Sequence, residues 1–561
     1  MRINIVSVED SLISLGVRKV SAYVRQLNPD TKVFYIPLTH FFSLWNVLRP
    51  RYSSELDPKR DVEPMAAEIA DADIVAFSSM THVAEQTKVI IAEVRRINPK
   101  AYIIWGGIHP IIVPEDAILH ADAVCTGEGE FAFEQFFDAF RNERDYTATR
   151  NFWFNRGGEI TKNELLPLMT SQQMDQLPLP TYANDERIYE SKRRAYEDVT
   201  IAHYLKFTGL TYHTIWTIGC PFKCTFCANT KFIENDKAYT RLRFPSAKWL
   251  VEEINAARRV HPHLSNVILL DDSMVALPLK VLTEFAELYK AEVGLPLFVA
   301  GIIPNYVKRD KVEVLLEAGM TTIRMGIQSG SRRVLDFYKR PAPPERVLAA
   351  TDIFADYTKY MIPPSYDFIL DNPIETRDDL VDTLELIHKM RRPFTLNLFS
   401  LRMQPNTTMA KQFEELKIRP EDLASESYKS LRPTYANCLI VLLTLVRPPR
   451  WLFNRLLRGV RGVNDKQQLY PAMFFVLHTL YVFKRGFSHL RFMDFTRLPG
   501  RIAWLFWRLG IVGFWHRHLI RHFKRTAPLS PEPKTAVRES TTVTPPQSLG
   551  LPVISTSSCG S

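Results

Sequence analysis

Short apolar runs alternate with helix-like stretches twice along this chain, and that rhythm restricts its fold more than any other feature. In residues 1–145, RINIVSV, KVFYIPL, DIVAFSS, AYIIWGG and DAVCTGE are apolar runs of strand length. Between them, VRKVSAYVRQL and HVAEQTKVIIAEVRRI carry apolar residues at helical spacing. Continuously apolar strands are buried on both faces, which calls for helices on both sides of a parallel sheet. The pattern predicts a doubly wound, Rossmann-like α/β domain with its ligand beyond the C-terminal strand ends. From about 201 to 415 the alternation returns as HTIWTIG, NVILLDD, LFVAGII, TTIRMGIQSGS, SYDFILDNP and TLNLFSLRMQPNT, with helical segments between. Six strand–helix repeats predict a partial (β/α)6 barrel, again with its chemistry at the C-terminal strand ends.

The rest of the chain has different textures. Residues 146–200 contain a hairpin-like NFWFNRGGEITKN and a proline-containing LPLPTY, and are expected to form a linker without chemistry. The barrel is expected to occupy 201–420. Residues 421–525 read as a helical region and 526–561, rich in Ser, Thr and Pro, as a disordered tail. No apolar run reaches the roughly 18–20 uncharged residues needed to cross a bilayer.

Charge is distributed unevenly. The net charge of the 561 residues is +10, yet Arg447–Arg525 holds sixteen Lys/Arg against only Asp465 and Asp494, a local charge of +14. The basicity is therefore local, and it coincides with Trp504, Phe506, Trp507, Phe514 and Trp515, among Arg501, Arg508, Arg517, Arg521 and Lys524. This argues against a nucleic-acid partner and for a basic-aromatic surface, either lying on a membrane or packed as a helical cap. The six cysteines show no pairing pattern and MRINIVSVED has no signal-peptide character, so a reducing, cytoplasmic setting is expected, with peripheral contact to the inner membrane face.

Three of the six cysteines fall in Cys220-Pro-Phe-Lys-Cys224-Thr-Phe-Cys227. Disulfides are disfavoured, because three thiols leave one over and such short loops are strained. Zinc would need a fourth ligand, and Cys125, Cys438 and Cys559 stand alone. An iron–sulfur cluster with three thiolate ligands and one open iron fits better than a structural metal loop.

CPFKCTFC resembles the motif of the radical S-adenosylmethionine (radical SAM) superfamily. The resemblance implies a 4Fe–4S cluster on Cys220, Cys224 and Cys227, with SAM on the fourth iron and Phe226 beside its adenine. Asp271-Asp272-Ser273 stands where the family often has Gly-Gly-Glu, which implies that Asp272 accepts hydrogen bonds from the SAM amino group. Gly326-Ile-Gln328-Ser329-Gly330 is similar to the segment near the SAM ribose and carboxylate, implying SAM contacts by Gln328 and Ser329. Upstream, FSSMT, WGGIHP and CTGEGE resemble the cobalamin-binding domain that precedes many radical SAM domains. This assigns Ser79, Thr81, Gly106, Gly107, His109 and Glu128 to cobalamin. The DxHxxG motif that supplies an axial histidine in the wider cobalamin family is absent, the first loop reading EDSLISLG.

The resemblance implies a cobalamin-dependent radical SAM enzyme that methylates an unactivated carbon of an apolar or membrane-associated metabolite, fed by a reductant such as flavodoxin or ferredoxin. A second reading keeps the radical and replaces methyl transfer by oxidative cyclisation or ring rearrangement, as in tetrapyrrole or hopanoid pathways. The non-enzymatic reading is an iron–sulfur or cobalamin sensor.

Overall fold

The computed structural model describes residues 1–38, 58–180, 182, 185–419, 423, 431–462, 469–491 and 500–515. The segment expected as a disordered tail, and Arg517, Arg521, Lys524 and Cys559, lie outside these residues.

The first sheet is built on five parallel strands, β1 (Ile3–Glu9), β2 (Thr31–Pro37), β3 (Ile74–Ser79), β4 (Tyr102–Gly106) and β5 (Ala123–Cys125). Their order is β5-β4-β3-β1-β2. This is the flavodoxin-like arrangement, whose switch point lies between β1 and β3. Helices such as Leu15–Leu27 and Ala84–Ile97 cover the two faces, and separate apolar clusters form on each.

Residues 146–200, expected as a linker, instead widen this sheet. β6 (Phe152–Arg156) pairs antiparallel with β5 and carries β7 (Glu159–Lys162), the expected hairpin. At the other edge β8 (Glu186–Glu190) adds parallel to β2, and β9 (Ala195–Asp198) closes on it antiparallel. The physical reason is that β2 and β5 would otherwise end the sheet with unpaired backbone groups. These capping strands are short and, in β7, fully exposed, so they carry little apolar periodicity to read.

The second sheet is the expected open barrel: β10 (Thr211–Thr214), β11 (Asn266–Leu269), β12 (Leu297–Ile302), β13 (Met320–Gln328), β14 (Ser365–Leu370) and β15 (Thr395–Ser400), all parallel and in chain order. Its outer faces pack on helices Ala247–Val260, Leu279–Leu288, Arg309–Ala318, Pro344–Asp356 and Arg377–Lys389. Local sequence sets the starts of these helices. Ser246 caps Trp249 N, and Thr376 forms a capping box with Asp379.

The C-terminal helices divide between capping and exposure. Tyr435–Leu445 and Arg450–Gly462 bury Leu439, Ile440, Leu443, Phe453 and Leu457 in the barrel core. Trp504, Phe506 and Trp507, expected on a free surface or in a cap, are partly buried and pack beside Leu205 and Leu210. The apolar face left open lies on Pro471–Arg491, where Met473, Val476, Leu480, Phe483 and Phe487 repeat at intervals of three and four. No helix among the described residues is long and apolar enough to cross a membrane.

A buried polar knot ties the first sheet to the helix Ile201–Thr208, which leads into the second. Arg18 lies 3.2 Å from Glu186 and donates to the Tyr204 hydroxyl at 3.0 Å, with its guanidinium over the Tyr182 ring. Both charged side chains are at most 5% exposed, so removing either one leaves an uncompensated buried charge.

Candidate active site

The cysteine loop leaves the end of β10 and is pinned from several sides. Ile218 exchanges backbone hydrogen bonds with Arg243, and Cys220 N donates to Tyr239 O at 3.1 Å. Gly219 has φ +113°, and a Cβ there would strike the Arg241 carbonyl, so the turn into the loop requires glycine. The central anchor is Thr225, fully buried between the last two cysteines. Its N–H donates to Tyr338 O at 2.9 Å, its hydroxyl to Phe337 O at 3.1 Å, and its carbonyl accepts from Met409 N at 2.9 Å. Phe226 stands edge-on to Tyr338 with ring centroids 5.1 Å apart.

Cys220 and Cys224 are buried and Cys227 is half-buried. Burial pushes the Cys220 thiol up to about 11 and the Cys227 thiol higher, with Asp272 adding to both shifts. Thiols held neutral at pH 7 become ligands only when metal replaces the proton, which is the usual coupling of metal binding to deprotonation. Arg340 Nη1 lies 3.7 Å from Cys224 Sγ and Nη2 donates to Gly326 O at 2.6 Å. This donor set of three soft sulfurs with an adjacent cation fits an iron–sulfur cluster.

The residues read as SAM contacts have different surroundings. Asp272 Oδ2 accepts from Asn229 Nδ2 at 2.8 Å, directly after the cysteine loop. Its neighbour Asp271 is 2% exposed and accepts from the N–H groups of Trp216 and Thr217 and from the Thr217 hydroxyl, tying the end of β10 to that of β11. Burial lifts the Asp271 carboxyl to about 6 despite these bonds. Gln328 ends β13 with φ +78°, a rare conformation for a side-chain-bearing residue and one that collects at functional sites. Ser329 is 1% exposed and its hydroxyl sits 3.3 Å from Thr383 Oγ1, which also accepts from Gly330 N at 3.0 Å. Ser329 thus faces the helix Arg377–Lys389.

At the first sheet, β3 and β4 present Ser79, Thr81, Gly106, Gly107 and His109 together. Gly107 has φ +90°, and a Cβ there would lie 2.8 Å from Ser78 Oγ and from Ser79 N and O. At Gly106 a Cβ would meet only ordinary contacts. Ser79 Oγ accepts from Trp105 Nε1 at 2.9 Å, and His109 Nε2 lies 3.0 Å from Asp116 Oδ2 with its ring beside Trp105. Burial lowers the His109 pKa, so this imidazole is neutral at pH 7. Thr81 Oγ1, Gln86 Oε1 and His109 Nδ1 are buried without a hydrogen-bond partner among the described residues. Three orphaned polar atoms at one end of the sheet fit a ligand that supplies the missing partners.

Glu128 is placed otherwise. Its Oε1 forms a 2.8 Å ion pair with Arg243 Nη2, too oblique for a hydrogen bond, and its Oε2 accepts from Met169 N at 2.7 Å. Both carboxylate oxygens are thus taken up by a junction between the two sheets, because Arg243 belongs to the segment that pins the cysteine loop.

The two ligand faces meet. Asn229–Asn235, the helix leaving the cysteine loop, packs on Ile108–Ile112, the helix leaving Gly106-Gly107. Asn406 Nδ2, beyond β15, donates to Ile112 O at 2.9 Å.

Comparison with known proteins agrees with this arrangement. Residues 214–387 match the Radical SAM superfamily, and residues 1–137 match the B12 binding domain. The chain belongs to the radical SAM superfamily, in the group with an N-terminal B12-binding domain. With that family come its cofactors, a 4Fe–4S cluster, SAM and cobalamin. The chain is 25% identical over 325 residues to a protein named as an uncharacterised methyltransferase, PH0819, of Pyrococcus horikoshii, covering 57% of this chain and 65% of that one. It is 26% identical over 464 residues to an anaerobic magnesium-protoporphyrin IX monomethyl ester cyclase of Cereibacter sphaeroides, covering 79% and 67%. A bacteriochlorophyllide d C-8(2)-methyltransferase of Chlorobaculum tepidum is 23% identical, covering 57% and 63%. The chain therefore spans about two thirds of the length of these relatives. In fold it is similar to the radical SAM methyltransferase TsrM of Kitasatospora setae, with TM-score 0.57 and 14% identity over 74% of this chain and 76% of that one. The cobalamin-dependent radical enzyme OxsB matches with TM-score 0.57 over 92% and 76%, also at 14% identity.

For this radical SAM chain, sequence reading pointed to the neighbourhoods and missed several partners within them. Asp10 and His82, 3.0 Å apart across the β1/β3 switch point, were legible only as strand-end residues. Asn229 and Thr383 carry no motif of their own, and only their contacts single them out.

Proposed function

We propose that this chain is a cobalamin-dependent radical SAM enzyme that methylates an unactivated carbon of an apolar or membrane-associated metabolite. The observation that supports this reading is the packing of the helix after the cysteine loop directly on the helix after Gly106-Gly107, which brings the two candidate ligand faces next to each other. When bound, the cluster with SAM supplies hydrogen-atom abstraction and cobalamin supplies the methyl group. The protein's part is positional. Cys220, Cys224 and Cys227 hold iron, while Thr225 keeps their loop rigid. Asp272, held by Asn229, accepts hydrogen bonds from the SAM ammonium, and Phe226 and Gln328 flank the rest of SAM. Ser329 supports that segment through Thr383. Gly107 and the orphaned atoms of Thr81 and His109 receive cobalamin.

The test is anaerobic incubation of reconstituted enzyme with a low-potential reductant of flavodoxin or ferredoxin type, methyl-labelled SAM and candidate apolar metabolites. The expected result is 5′-deoxyadenosine together with label in the product. A second reading, oxidative cyclisation, is supported by the match to the cyclase over 79% of this chain, which reaches beyond the two matched domains. It predicts 5′-deoxyadenosine with an unlabelled product. A sensor would form neither.

Delivery from a membrane is supported by the exposed stripe on Pro471–Arg491, where Phe483 and Phe487 are 67% and 70% exposed, within a region of local charge +14. On this reading the enzyme sits at the cytoplasmic face. Co-sedimentation with anionic but not neutral vesicles, abolished by Phe483→Glu with Phe487→Glu, is expected; equal sedimentation with both vesicle types refutes it.

A further inference from the structure

Inside the barrel, β13 alternates strictly. Ile323, Met325 and Ile327 pack outward on the helices, so Thr322, Arg324, Gly326 and Gln328 face the lumen. By the same alternation Asp367 of β14 and Asn397 of β15 face inward, and Gly326, Asp367 and Asn397 stand in register across three strands. Arg324 Nε donates to both Asp367 oxygens at 2.9 and 2.8 Å, and Asn397 Nδ2 donates to Asp367 Oδ1 at 2.7 Å. The guanidinium lies over the Phe399 ring, 5.2 Å from its centroid.

Two features set this cluster apart from a brace between strands. β13 has a strand on either side, yet the Arg324 side chain is 39% exposed, so the exposure opens into the lumen. Asp367 engages only the Nε edge, and the two Nη groups donate to no acceptor among the described residues. A guanidinium held flat by an aromatic ring and oriented by a carboxylate presents the fork geometry that grips a second carboxylate. Of the other inward positions, Ile268, Phe298, Ala300 and Ile369 are apolar, while Thr322 and, by the same alternation on β10, His213 are polar. Arg324 lies two residues below Gly326, about 7 Å at the strand rise. Gly326 O in turn binds Arg340, which touches Cys224.

We infer that Arg324, oriented by Asp367 and Asn397, is the substrate-anchoring residue, taking a carboxylate carried by an otherwise apolar molecule and aiming its body toward the cluster. This inference rests on the radical SAM reading above and adds the substrate's chemical class. The test uses full-length reconstituted protein with 2-naphthoate and its neutral methyl ester as probes, titrated by fluorescence. The wild type is expected to bind the acid at least about tenfold tighter than the ester, as a charge-assisted pair implies. Arg324→Gln should bring the ratio to about one while leaving ester affinity unchanged. Equal affinities in the wild type, or a ratio that survives Arg324→Gln, overturn the inference. Should Arg324→Gln fail to take up its cluster, Arg324→Lys, which keeps charge and loses the fork, is expected to lower the ratio, and an unchanged ratio is again fatal. Substrate-free formation of 5′-deoxyadenosine is measured in the wild-type sample. Its absence from the wild type breaks the radical reading whatever the naphthoates do, which separates the two failures.

Discussion

On the proposed reading, the two parallel sheets hold their ligands by different means. At the end of the first sheet the obvious polar side chains are mostly engaged: Ser79 by Trp105, the Nε2 edge of His109 by Asp116, Glu128 by Arg243. What remains is shape, in the form of a tight glycine turn and a few orphaned atoms. At the end of the barrel the side chains themselves are the ligands, three thiols clamped by backbone hydrogen bonds to Thr225. A large organic cofactor is gripped over a wide surface, so no single side chain carries it. A cluster is gripped by a few donor atoms, and each is indispensable.

That contrast can be broken at its strong end first. Cys224→Ala should abolish both iron–sulfur absorption after anaerobic reconstitution and all 5′-deoxyadenosine, while cobalamin retention stays intact; residual turnover would remove the three-thiolate assignment. Next, Gly107→Ala forces a side chain into φ +90° and against Ser78 and Ser79. It should cost ~1–3 kcal/mol of stability and most of the bound cobalamin, read from the visible spectrum. Ser79→Ala should retain cobalamin, and if the two variants lose it equally, binding by shape is the wrong description.

Smaller effects sharpen the same comparison. Glu128→Gln keeps an acceptor for Met169 N and removes the ion pair to Arg243, so about 1 kcal/mol is expected from denaturant melts, with cobalamin affinity unchanged. A loss of cobalamin there would restore Glu128 to the ligand set. A separate effect concerns the loop after β14, where burial, reinforced by Asp379 and Asp371, raises Glu375 to about 8. Between its ordinary value of 4.5 and about 8 the native state keeps a proton that the unfolded chain releases. Stability should therefore fall as pH rises through that window. Glu375→Gln should flatten the decline by a few degrees in Tm, and an unchanged slope would place the titration elsewhere.

Both sheets were legible because periodicity is a property of neighbours in the chain. Strands such as Ile3–Glu9, buried on both faces, can be recognised without knowing what covers them. The motif ends of β10, β11, β13 and β14 fell where the rhythm placed them. β6–β9 were harder, since short polar edge strands have little pattern, and hydrogen bonding to β2 and β5 decides them instead.

Sequence alone determined the two α/β units, the order of the motifs and the three thiols, because composition and spacing are local facts. Only the tertiary structure decided which polar groups are spent and which are free. Glu128 finds Arg243 115 positions away, Arg18 finds Glu186 168 positions away, and Arg324 meets Asp367 across a strand pair. Such partnerships are set by how sheets and domains pack, and no window along the chain contains both members. The packing of the helix after the cysteine loop on the helix after the glycine turn is of the same kind, since it joins segments more than a hundred positions apart.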